Sequence, residues 1–103
     1  MEQFISIKQG DADTFTETIE GLTTLTGYTA KMYIFKSDGT KLDTINGTIN
    51  GLIVTYEIVN ESSKIYPVGT YDFETKIFDA SDHVYSQSNG IFEVRSTNEE
   101  DPS

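Results

Sequence analysis

Gly69-Thr70-Tyr71-Asp72-Phe73-Glu74-Thr75-Lys76-Ile77-Phe78 decides how this chain reads. Tyr71, Phe73, Thr75 and Ile77 fall on one side of an extended backbone, with Asp72, Glu74 and Lys76 on the other. A period of two is the mark of a strand with one buried and one wet face. Gly69 bends the chain into this strand, and Asp79-Ala80-Ser81-Asp82 supplies turn chemistry after it. His83-Val84-Tyr85-Ser86 then leads through Ser88-Asn89-Gly90, a bulge or a second turn, into Ile91-Phe92-Glu93-Val94. The final strands of a β-sandwich are written in this way. Tyr71 stands where a tyrosine corner would stand, its hydroxyl folding back on the loop before it.

Working outward, the same alternation recurs. In Tyr28-Thr29-Ala30-Lys31-Met32-Tyr33-Ile34-Phe35, the residues Tyr28, Ala30, Met32 and Ile34 form the core face. Tyr33 and Phe35 form a half-exposed aromatic ridge on the other. Leu52, Val54, Tyr56 and Ile58 alternate likewise, and shorter strands are expected around Phe4-Ile7, Phe15-Ile19 and Leu42-Ile45. Gly39, Gly47, Gly51 and Gly90 each follow Asp or Asn and read as hairpin punctuation. Asn60 to Lys64 is expected to be a polar loop or one helical turn, from which Ile65 reaches inward; Pro67 and Gly69 forbid a longer helix. Seven or eight short strands with regular turns and no long helix predict an all-β, antiparallel immunoglobulin-like β-sandwich. Residues 1–95 read as its single domain, and 96–103 as a disordered acidic tail.

A chain of 103 residues holds one core and buries roughly 60–65% of its extended surface. Seventeen acidic side chains against seven basic ones leave a net charge of -10. That sign excludes the usual nucleic-acid binder, which clusters Lys and Arg against phosphate. No cysteine is present, so disulfides and thiolate chemistry are excluded together. The N-terminal Met1-Glu2-Gln3-Phe4-Ile5-Ser6-Ile7-Lys8 has neither the basic start nor the apolar run of a signal peptide, and no segment approaches a membrane span. The reading is synthesis in a cytoplasm.

Catalytic constellations are not legible. His83 is the lone histidine, and Asp79 and Asp82 beside it sit in a turn, where Asp caps backbone amides. Asp11-x-Asp13 lacks the later ligands of a calcium loop. The threonines at 14, 16, 18, 23, 24 and 26 are explained by β-propensity. The expectation is a non-enzyme with no cofactor and no metal. Its interaction residues are sought among the aromatics Tyr33, Phe35, Tyr66 and Tyr85, since aromatics anchor interfaces.

Five segments together carry a family resemblance: Ile7-Lys8-Gln9-Gly10-Asp11, Leu25-Thr26-Gly27-Tyr28-Thr29-Ala30-Lys31-Met32, Ser37-Asp38-Gly39, Pro67-Val68-Gly69-Thr70-Tyr71-Asp72-Phe73 and Gly90-Ile91-Phe92-Glu93-Val94. Over residues 4–95 the chain resembles the small immunoglobulin-like domains of tailed-phage virion proteins, such as the N-terminal domain of siphophage baseplate upper protein. The family's longer members continue past this point, whereas this sequence runs into its acidic tail. The resemblance implies a virion structural or accessory protein of the baseplate, tail or capsid decoration. Its partners would be other phage structural proteins or further copies of itself, and no catalytic residues carry over. Two other readings are a module that touches cell-surface glycans and an acidic inhibitor of a host protein.

Overall fold

Seven strands form among the residues that the computed structural model describes, 2–59 and 65–95. They are β1 (Glu2–Lys8), β2 (Asp13–Thr18), β3 (Thr29–Phe35), β4 (Lys41–Asn50), β5 (Ile53–Ile58), β6 (Gly69–Phe78) and β7 (Val84–Arg95). The loop read over 60–64 and the tail read over 96–103 lie outside the described residues. The strands hydrogen-bond in the order β1-β7-β6-β3-β4-β5-β2.

Alternation does what it promised in β3 and β6. Ala30, Met32 and Ile34 are buried, as are Tyr71, Phe73, Thr75 and Ile77. Phe92 and Val94 on the neighbouring β7 extend this face, and Val54, Tyr56 and Ile58 of β5 join them in one continuous core. Each of the larger aliphatic and Phe side chains among them contributes roughly 1.5–3 kcal/mol by leaving water. Tyr71 completes the expected corner, its hydroxyl donating to the Pro67 carbonyl four residues back.

Four expectations need correction. Asn46-Gly47 does not break a strand: β4 runs straight through it. Its first part pairs with β3, and Gly47–Asn50 pairs with β5, so this strand carries the sheet around a bend. Gly47 has no positive φ. It is glycine because a Cβ there would lie 2.8 Å from both Tyr56 Cε1 and Val54 Cγ1. Gly90 is not a turn residue either, for it lies within β7. A Cβ at Gly90 would collide with the backbone of Gln3 on β1. The nearby irregularity is a one-residue bulge at Gln87, where the register steps from Thr75↔Ser88 to Lys76↔Ser86.

The sheet is also mixed, not wholly antiparallel, because β1 pairs parallel with β7. Parallel neighbours need a long connection, and here almost the whole chain lies between them. The end strands β1 and β2 share no backbone ladder. A side chain ties β2 to β7 instead: Ser88 Oγ donates to Glu17 Oε1 at 2.5 Å, while Tyr56 of the neighbouring β5 donates to Glu17 Oε2 at 3.4 Å. The result has a barrel-like curl.

Finally, Ile65 and Tyr66 exchange places. Ile65 is 73% exposed and Tyr66 only 2%. The Tyr66 ring meets Phe92 edge-on at 6.0 Å, and its hydroxyl donates to Asp43. An aromatic ring with a satisfied hydroxyl fills the space better than Ile65 would.

Candidate functional site

The outer faces of β3, β4 and β6 carry the side chains that packing does not use. On β3, Lys31, Tyr33 and Phe35 alternate with the buried Met32 and Ile34. The register sets Tyr33 opposite Glu74 and Thr44, and Phe35 opposite Lys41 and Asp72. The Tyr33 and Phe35 rings are 6.3 Å apart and tilted by 30°. Two lysines flank the first of them: Lys41 Nζ lies 5.2 Å from the Tyr33 ring centre and Lys76 Nζ 6.0 Å from it. Phe78 and the half-exposed Val84, paired across β6 and β7, complete an open hollow of about 310 Å³.

Of the four aromatics singled out in the sequence, Tyr33 and Phe35 alone come together here. Tyr66 is core, and leaves the set of surface candidates. Tyr85 pairs across the ladder with the buried Ile77, so it projects from the opposite face. There it packs on Tyr28, 6.3 Å between ring centres, and its hydroxyl donates to Asp79. Burial, then the neighbouring Asp79 charge, raises the Tyr85 pKa above the ordinary phenol value. Lys31, Lys41, Lys76, Phe78 and Val84 were not singled out from the sequence. The hairpin at Gly39 was the available signal, because it sets Lys41 beside Phe35 once its register is known.

Asp79 and Asp38 serve the backbone. Asp79 accepts from the amides of Ser81 and His83 and from the His83 ring at 3.1 Å. The bond from the His83 amide is the largest cause of its lowered pKa. Asp38 likewise caps the Thr40 amide in the hairpin, which lowers its pKa. No cluster of three metal-ligating side chains occurs among the described residues. Glu17 lies in a second hollow, between β2 and β7, where Ser88 and Tyr56 already occupy its oxygens.

Known structures share this architecture. Fibronectin(III)-like modules of Clostridium thermocellum CbhA align over 93% of this chain and 91% of theirs, with a TM-score of 0.55 and 10% identity. The fold is immunoglobulin-like. A Bacteroides vulgatus ATCC 8482 protein described as a glycoside hydrolase aligns over 89% of this chain, with a TM-score of 0.56 and 11% identity. This chain spans only 16% of that protein's length. No protein-family model and no curated protein sequence matches the chain. At such identities the likeness is one of fold alone.

Proposed function

We propose that this immunoglobulin-like domain is a non-enzymatic structural or accessory component of a tailed-phage virion, holding neighbouring virion proteins through the outer face of β3, β4 and β6. The observation that carries the binding mode is the Tyr33–Phe35 pair, half-buried on an open face beside Phe78 and the exposed Val84. Rigid aromatics bury much area on docking and lose little conformational freedom. The virion setting rests on the sequence resemblance to baseplate upper protein and its short relatives. Multicopy assembly suits a face of this size, because weak contacts add through avidity.

Mass spectrometry and cryo-electron microscopy of purified particles test this reading. The protein is expected at stoichiometric copy number in wild-type virions, and a Tyr33→Ala/Phe35→Ala variant is expected to be lost from them. Absence of the wild-type protein from particles overturns the proposal. A glycan-binding reading draws on the same ring pair, since sugars stack on aromatic faces. A glycan array probed with a multimerised form decides between the two.

A further inference from the structure

The lysines of this face are placed against the trend of the whole molecule. Seven basic residues stand against seventeen acidic ones in the chain, yet Lys41 and Lys76 lie over the Tyr33 ring and Lys31 pairs with Lys76 in the ladder beside them. Lys31 and Lys76 are direct partners in the β3–β6 ladder. Like charges directly opposite on a sheet face repel and destabilise it. Lys76 is relieved by Glu74 at 3.0 Å. Lys31 and Lys41 have no carboxylate at ion-pair distance among the described residues. With carboxylates so abundant, an isolated domain would gain by placing one between them.

From this we infer that the face receives an acidic, partly apolar segment of a partner protein, its carboxylates lying against Lys31 and Lys41 and an apolar side chain seated on Tyr33, Phe35 and Phe78. The inference rests on the docking face proposed above and names its occupant. On this face Lys31, Lys41 and Lys76 outnumber Asp72 and Glu74 by one, the reverse of the chain as a whole, and charge complementarity selects an anion. The lining of the hollow selects a peptide over an acidic sugar. Its side chains are Tyr33, Phe35, Lys41, Glu74, Lys76, Phe78 and Val84, with no Asn, Gln or Arg. A saccharide needs several directional hydrogen-bond partners for its hydroxyls, and lysine supplies a compact charge in place of a fixed fork. Carboxylates and apolar side chains are what this surface can satisfy.

The test is an NMR titration of the ¹⁵N-labelled full chain with three probes: a short Glu-rich peptide carrying one Phe, its Lys-rich counterpart, and oligogalacturonate. The Glu-rich peptide is expected to shift amides of β3, β4 and β6, with affinity falling about tenfold as salt rises toward about 0.3 M. Lys41→Glu and Lys31→Glu, each first shown to keep native amide dispersion, are expected to abolish those shifts. Preference for oligogalacturonate, equal binding of the Lys-rich peptide, or shifts spread over the whole chain overturns the inference. Incorporation into virions separates it from the reading beneath it. If the lysine reversals assemble normally while Tyr33→Ala/Phe35→Ala does not, the docking face stands and the acidic occupant falls. If all of them assemble normally, the face itself falls.

Discussion

Tyr56 shows how one side chain can carry a pH dependence. Its ring is wholly buried and its hydroxyl donates to the Glu17 carboxylate. Burial, and next the charge of Glu17, push the phenol far above its ordinary range. A raised tyrosine pKa means that folding requires the neutral form. Its contribution is therefore complete below about pH 10, where the unfolded phenol titrates, and is lost as pH climbs toward the folded value. Urea midpoints measured across this range should fall steeply above about pH 10, and Tyr56→Phe should flatten that fall. At neutral pH the same variant should cost about 0.5–1.5 kcal/mol, the worth of one hydrogen bond. An unchanged alkaline limb would show that Tyr71 and Tyr85, whose pKa values burial also raises, carry the effect instead. Gly90 is the second position where a single atom decides. Gly90→Ala places a Cβ against the Gln3 backbone, which belongs to a strand and cannot step aside as a side-chain tip would. The expected loss is about 1–3 kcal/mol, read by chemical denaturation, with β1 amides losing hydrogen-exchange protection first. Uniform loss of protection across all strands would argue that β1 does not detach separately.

Among the elements, β3 and β6 disclosed most beforehand and β4 least. In β3 and β6 a strict alternation made face, core residues and aromatic ridge legible, because local pattern and tertiary burial agree there. Tyr71 was legible as a corner for the same reason, with Gly69 and Pro67 marking the bend. At β4 they disagree. Asn-Gly is a strong hairpin signal on local grounds, yet Gly47 is set by Tyr56 and Val54, distant in space until the chain folds. The parallel partner of β1 was hidden too, since pairing residues 2–8 with 89–95 leaves no trace in either segment. Ile65 and Tyr66 slipped by one because no alternation runs through the residues before Pro67. The lysine cluster was invisible until hairpin register set three strands side by side. Strand β2 ends the sheet and carries an inward-leaning charge, Glu17, a device that discourages edge-to-edge pairing. Glu17→Val should relieve that discouragement and leave the Ser88 hydroxyl without its acceptor. Light scattering is expected to show concentration-dependent association of this variant; a monomer at all concentrations would mean that the edge is protected by other means.

Across the whole molecule, net charge sets the balance. The chain carries ten excess negative charges, and the fold measures 49 × 28 × 23 Å. At 0.01 M salt the Debye length is about 30 Å, so carboxylates on opposite sides still repel one another; at 0.1 M it is about 10 Å, and only neighbours do. Favourable charge contacts are few by comparison. The ion pairs among the described residues are Lys76 with Glu74 and the exposed His83 with Asp79, the second charged only when His83 is protonated. Exposed pairs of this kind contribute about 0–1 kcal/mol and are themselves screened. Repulsion therefore outweighs attraction, and salt relieves more than it removes. The urea midpoint should rise as sodium chloride goes from about 0.01 to 0.1 M, the opposite of a protein held by ion pairs. Urea is the denaturant to use, because guanidinium chloride screens by itself. Lys31→Glu should steepen the rise by adding two further units of negative charge, although it removes the Lys31–Lys76 repulsion on the outer face. A midpoint that falls with salt would mean that local attraction at the lysine face outweighs the global field. In the free protein that face would then already be satisfied, with no charge left over for a partner.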